Sequence, residues 1–229
     1  MSTSSSRLRP LLDAGQTTWM VNPGGASLDV VDMLAHLGVT CLFIDCERTA
    51  IGIESVTALV RCAHSHGMAA VVRTESMQPE IMVRYLDRGI DGIVVPHVET
   101  VAQLHVIGET VAYVTKGRRE QIIALAQIES QAAVANIAAL AADHSVDGFL
   151  LGPNDLSHSM GFVGDTSRPE VARAIDEVVD ILQQQHRTWA IPGLPESAPR
   201  WSQRGAKLLY CTMEQILRSG YGGFAASVT

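Results

Sequence analysis

Two short segments carry the residues best suited to chemistry, Ala126-Gln127-Ile128-Glu129 and Gly152-Pro153-Asn154-Asp155-Leu156-Ser157. In each, an apolar run of the kind that forms a buried strand ends in a carboxylate, and parallel α/β barrels place their reacting groups at that end of their strands. Two acids at the same end of neighbouring strands suit a divalent cation such as Mg²⁺, Mn²⁺ or Co²⁺, held through oxygen with positions left for substrate. Asp155 also fits the role of a helix N-cap, since Asn and Asp accept hydrogen bonds from first-turn N–H groups. Glu129 has no such duty visible in the sequence.

The other apolar runs also end in polar or conformationally special residues: Asp45, Glu47 and Arg48 after one, Arg73 after the next, Pro96 and His97 after a third. An Arg facing two acids can hold a carboxylate or a developing enolate by charge-assisted hydrogen bonds. Backbone N–H groups of Asn154 and Asp155, where a helical turn begins, can take an anionic carboxylate. Such a set suits a 2-oxo acid, pyruvate or oxaloacetate, that loses a proton or a carbon–carbon bond to give an enolate. Purely structural roles compete. Arg73 and Asp45 can be an ion pair stitching two strands, and His97 can cap or pack at a helix start. His64, His66, His105, His144 and His186 read as surface or satisfied-core residues.

Positioning these groups takes a repeating unit. Leu28, Val31, Leu34 and Ala35 recur at helical spacing before Gly38, and 40–45 is a near-continuous apolar run, the mark of a strand buried on both faces. The pattern places strands over 18–22, 40–45, 69–73, 92–96, 122–127, 148–151, 188–192 and 207–210. Helices are expected over 28–37, 53–66, 79–88, 98–112, 131–142, 169–186, 196–204 and 213–219, after a short leading helix over 7–14. Strict alternation with right-handed crossovers gives a single-domain (β/α)₈ TIM barrel over 7–229, following a disordered tail over 1–6. The rival, an open doubly wound sheet, needs a G-x-G-x-x-G loop after its first strand, and Asn22-Pro23-Gly24-Gly25 does not supply it.

Composition narrows the partners. The chain is 47% hydrophobic and 18% charged, a globular profile. Its net charge of −7, with no basic cluster beyond Lys116-Gly117-Arg118-Arg119, argues against nucleic acid. No apolar run is long enough for a membrane span and no apolar segment follows the start, so a cytoplasmic protein is expected. Cys41, Cys46, Cys62 and Cys211 form no CxxC pair and read as buried thiols with no His at metal spacing, Cys46 being the exception to watch.

Taken together, Phe43-Ile44-Asp45-Cys46-Glu47, Val71-Val72-Arg73, Ile93-Val94-Val95-Pro96, Gln127-Ile128-Glu129 and Gly152-Pro153-Asn154-Asp155-Leu156-Ser157 with Met160-Gly161 resemble the HpcH/HpaI aldolases. These are pyruvate-dependent class II aldolases, and the resemblance runs from about Trp19 to Tyr210. It implies a metal-dependent carbon–carbon lyase, with Glu129 and Asp155 as ligands, Arg73 on the pyruvate oxygen, and Gln127 and Asp45 supporting them. Pro153, Asn154 and Asp155 fall on the substrate side. An aldehyde or acyl donor would be the second reactant, and a homo-oligomer is expected. Three features depart from the pattern. The family's catalytic His is here Arg48, effectively always protonated and so unfit as an ordinary base; we expect it to bind an acidic substrate tail. The segment before the fifth strand is reduced to residues 113–119, and the tail from Tyr221 is short. Two alternatives stay open: a condensing enzyme joining oxaloacetate to an acyl thioester, and a non-catalytic barrel that retains a 2-oxo acid or metal site.

Overall fold

The computed structural model describes residues 6–227. Eight parallel strands close into one barrel in sequence order: β1 (Thr18–Asn22), β2 (Cys41–Asp45), β3 (Ala69–Arg73), β4 (Gly92–Val95), β5 (Ile123–Ile128), β6 (Gly148–Leu151), β7 (Thr188–Pro192) and β8 (Leu208–Thr212). The expected barrel is therefore present. Around it run α1 (Leu8–Asp13), α2 (Leu28–His36), α3 (Ile53–Ser65), α4 (Pro79–Leu86), α5 (Val101–Thr115), α6 (Gln131–Ala135), α7 (Ile137–Ala142), α8 (Pro153–Ser159), α9 (Pro169–Gln184), α10 (Ala198–Gln203) and α11 (Met213–Ala226). No helix among the described residues is long and apolar enough to cross a membrane.

Strand periodicity sorts the apolar side chains into two layers. Met20, Cys41, Phe43, Val71, Val94, Leu125 and Leu208 fill the interior with Leu8 and Leu12 of α1, while Leu42, Ile44, Val72, Ile93 and Val95 pack outward against the helices. Helix ends are set by local chemistry. Thr100 and Gln103 form a capping box that starts α5, later than the apolar pattern suggests. After α3, Gly67 takes the left-handed conformation (φ +74°), and the Met68 N–H donates to the Ala63 carbonyl at 2.9 Å.

Several expectations need correcting. Residues 1–5 of the expected tail lie outside the described residues, but Ser6 is buried: its hydroxyl donates to the Asp91 carbonyl at 2.7 Å and its N–H to the Glu120 carbonyl at 3.1 Å. The helix expected over 131–142 breaks at Asn136, whose side-chain amide donates to the Glu99 carbonyl at 2.8 Å. Helix α5 continues to Thr115, so the reduced segment begins at Lys116, and α11 continues past Ser219 to Ala226.

Close strand approach fixes one glycine. A Cβ on Gly148 would sit 2.3 Å from the Thr188 carbonyl oxygen on the next strand, where backbone cannot yield without disturbing the ladder. Gly148→Ala is expected to cost about 1–3 kcal/mol, lowering Tm by roughly 2–12 °C in thermal unfolding.

Candidate active site

The two-residue period that fills the barrel also builds its mouth. Phe43 points inward, so Asp45 continues the same face at the carboxyl end of β2; by the same step Met20 leads to Asn22, Val71 to Arg73, Leu125 to Gln127 and Leu208 to Tyr210. Parallel register sets Asp45 opposite Arg73.

Arg73 is gripped in bidentate fashion. Its Nε donates to Asp45 Oδ1 at 3.0 Å and its Nη2 to Asp45 Oδ2 at 2.6 Å. Burial works against the Arg73 charge, but the hydrogen bonds and charge of Asp45, with Glu47 beyond, outweigh it and raise its pKa. Asp45, 1% exposed, also accepts from the N–H groups of Glu47 and Arg48, each at 3.1 Å, and so shapes the turn that carries both. Asn22 donates to the Tyr210 hydroxyl at 3.0 Å and lies 3.5 Å from Asp45 Oδ2. Asp45 leaves one Arg73 nitrogen, Nη1, which lies 3.4 Å from Gln127 Oε1 and 2.9 Å from Glu47 Oε2. The second contact is not aligned for donation, so that buried oxygen has a cation beside it but no hydrogen bond.

Beside this group sits Glu129. Its Oε1 accepts from the His97 N–H at 2.7 Å and lies 2.9 Å from His97 Nδ1, while its Oε2 accepts from the Gln127 amide. The other ring nitrogen of His97 is 3.1 Å from Glu47 Oε1, so one imidazole bridges two carboxylates. His97 holds this place with a left-handed backbone, φ +59°, which is strained for a side-chain-bearing residue. Burial raises the Glu129 pKa; the charges of Glu47 and Asp155 push the same way, against the His97 hydrogen bond and ring. Gly152 keeps this corner open: a Cβ there would lie 2.8 Å from Glu129 Cβ and 3.1 Å from Gln127 Nε2.

A divalent cation fits this chemistry. Glu47, His97 and Glu129 offer ligand atoms within 4.8 Å of one another, one carboxylate oxygen lacks a hydrogen bond, and burial with the neighbouring acids raises the Glu129 pKa. Asp155 stands at the start of α8 close enough to raise the Glu129 pKa, but its carboxylate is paired with the Arg48 guanidinium and is not in that three-residue set. Pro153 and Asn154 lie in the same first turn, after the N-cap Gly152.

Sequence reasoning thus placed Asp45, Arg73, Gln127 and Glu129 in one network and underweighted Glu47 and His97. Their signal was position alone: both follow strand ends, but neither ends a strand itself. Cys46 turns away, its thiol pushed up to about 12 by burial.

The comparisons with known proteins agree with the geometry. The family described as HpcH/HpaI aldolase/citrate lyase matches residues 19–186. The chain belongs to this family. It is 31% identical over 169 residues to the 5-keto-4-deoxy-D-glucarate aldolase of Klebsiella pneumoniae subsp. pneumoniae, covering 64% of this chain and 66% of the relative, just under two thirds of that enzyme's length. It is 27% identical over 197 residues to the hydroxypyruvate/pyruvate aldolase of Sagittula stellata, covering 76% and 78%. Among solved structures, citrate synthase SbnG superposes with a TM-score of 0.87 at 22% identity over 97% of each chain, a likeness of fold.

Proposed function

We propose that this chain is an aldolase-type carbon–carbon lyase that makes or breaks a 2-oxo acid by way of a pyruvate enolate. The observation that carries this reading is the convergence at one mouth of Glu47, Glu129 and Asp155 with the Asp45-gripped Arg73, which Glu47 touches. Glu129 and Asp155 would hold the divalent cation, with Glu47 and His97 beside them. When bound, such an ion lowers the free energy of negative charge developing on the keto oxygen. Arg73 Nη1, which neither Asp45 bond engages and Gln127 holds only at 3.4 Å, would turn to that oxygen, and Asp45 fixes the guanidinium's direction. Gln127 orients Glu129. Pro153 has no N–H, so Asn154 and Asp155 carry the first donors of α8, suited to the substrate carboxylate.

Arg48 takes a different part from the family His. Always charged, it cannot remove a proton, which would pass to water instead. It borders a cleft of about 760 Å³ shared with Arg218 and Tyr221 of α11, where an acidic substrate tail would take the place that Asp155 now holds on Arg48, Arg218 being paired with Glu214. Arg48→Ala is expected to raise KM for a dicarboxylic substrate by roughly 10–100-fold, the value of one charged hydrogen bond, and far less for its monoacid counterpart. Exposed Leu217, Tyr221 and Phe224 on α11 support assembly into a homo-oligomer.

The Arg48–Asp155 pair favours one second reading. An Arg seated on an expected metal ligand supplies positive charge without an ion, which suits condensation of oxaloacetate with an acyl thioester. Coupled detection of pyruvate released from 4-hydroxy-2-oxo diacids, with Mg²⁺, Mn²⁺ or Co²⁺ and then EDTA, separates the two. Metal-dependent release supports the lyase. Absence of release, with thiol formation from oxaloacetate and acetyl thioester in EDTA, supports the condensing enzyme.

A further inference from the structure

At the barrel end opposite the mouth, two helices bring together a set of side chains that the lyase does not use. Asp32 and His36 lie four residues apart near the end of α2, and Cys62 and His66 lie four apart at the end of α3. Helical spacing of four puts each pair on one face. These faces meet: Asp32 Oδ1 lies 3.1 Å from Cys62 Sγ and 2.7 Å from His66 Nε2, and the His36 and His66 ring centroids are 5.9 Å apart. His36 Nδ1 is 2.7 Å from the carbonyl of Asp32, one turn back, an arrangement that fixes a proton on Nδ1 and leaves Nε2 as a donor atom.

We infer that Asp32, Cys62 and His66 form a second metal site, selective for a borderline-soft divalent ion of the zinc class, with His36, whose ring centroid lies 5.9 Å from that of His66, as the candidate for a fourth position. Asp32, Cys62 and His66 already offer ligand atoms within 4.8 Å of one another. Tetrahedral zinc bonds of about 2.0–2.3 Å place ligand atoms roughly 3.3–3.7 Å apart, so with the bridging protons gone these atoms, now 3.1 and 2.7 Å apart, need separate by only about half an ångström. The charge balances as well, one carboxylate and one thiolate with two neutral imidazoles neutralising a divalent ion. A thiolate ligand sets the site apart from the mouth, where oxygen donors suit hard ions.

Binding releases one proton. The Cys62 thiol, pushed up to about 11 by burial and by the hydrogen bond and charge of Asp32, gives its proton to solvent as the metal–sulfur bond forms, while neutral His66 exchanges its Nε2 proton for one on Nδ1 and so frees Nε2 for the ion. The ion would clip α2 to α3 at the end of the barrel where features serve stability rather than catalysis. Contrary to the sequence reading, Cys62 is only half-buried and has a His four residues on, while Asp32 comes from a different helix.

Cobalt provides the test, independent of activity. Titrating Co²⁺ into the chelator-treated chain is expected to give a saturable near-ultraviolet thiolate-to-cobalt absorption, with tetrahedral bands in the visible, whose final amplitude is that of one thiolate–cobalt bond whatever the mouth binds. Cys62→Ser should abolish the near-ultraviolet band. His66→Gln, at an exposed position, should weaken Co²⁺ binding by at least the 10–100-fold that loss of an outer-shell partner costs. Glu129→Gln should leave the band intact, and Zn²⁺ should raise Tm in that variant but not when Cys62→Ser is added. A chain that shows no thiolate band, a band surviving Cys62→Ser, or one lost with Glu129→Gln would overturn the inference.

Discussion

Glu129→Gln is expected to slow deprotonation of a bound 2-oxo acid by at least about a hundredfold while raising the Tm of the metal-free protein at pH 8. The first effect follows from losing the anionic ligand, since charge stabilisation in a water-poor site is commonly worth several kcal/mol. The second follows from the apo site itself. Burial, with Glu47 and Asp155, raises the Glu129 pKa, so the folded state holds its proton more tightly than the unfolded chain does. Stability therefore falls as pH climbs from the ordinary glutamate value of 4.5 through the raised folded value, and the penalty is complete above it. Gln carries no charge to penalise and keeps an oxygen for the His97 N–H. At pH below the glutamate range both side chains are neutral and the difference in Tm should vanish. Thermal unfolding at pH 4 and pH 8 in EDTA measures this; a variant less stable than wild type at pH 8 would contradict the electrostatic account of the site.

The second large effect concerns Asp45. Asp45→Ala leaves the Arg73 guanidinium buried without its bidentate partner, and removing one member of a buried pair costs about 3–5 kcal/mol. For a chain of this size that lowers Tm by roughly 6–20 °C. Asp45→Asn separates two duties. The amide oxygen can still accept from the Glu47 and Arg48 N–H groups, so the turn after β2 should survive, while Arg73 loses its charged clamp. Denaturant unfolding should rank the losses Ala above Asn. Activity should fall in both, because Arg73 is no longer held in one direction. Equal, small losses would show that the pair is not coupled as the geometry implies.

The barrel was legible because its signals are local. Continuous apolar runs such as Leu42–Ile44 mark strands covered on both faces, and glycines such as Gly67 stop helices by a backbone requirement that sequence displays. Asp45, Arg73, Gln127 and Glu129 were legible for a related reason: each falls on the inward phase at a strand end or just past one. What was not legible depends on neighbours far along the chain. Asn136 interrupts a helix because the Glu99 carbonyl is within reach, and Ser6 is ordered because Asp91 waits for it. His97 reads as a capping residue until β4 and β5 set it beside Glu129. Arg48 and Asp155, 107 residues apart, meet only when the barrel closes. The Asp32–Cys62–His66 group escaped for the same reason, since half of its spacing pattern lies on each of two helices.

The most direct test of the central claim is exchange of the pyruvate methyl protons for deuterium in D₂O, followed by ¹H NMR with Mg²⁺, Mn²⁺ or Co²⁺ and then with EDTA. It reads enolate formation without knowledge of the second substrate. The account predicts exchange that requires the metal, is lost in Glu129→Gln, and is unaffected by Cys62→Ser. Absence of exchange with every metal, or exchange that persists in Glu129→Gln, would contradict enolate chemistry at this site.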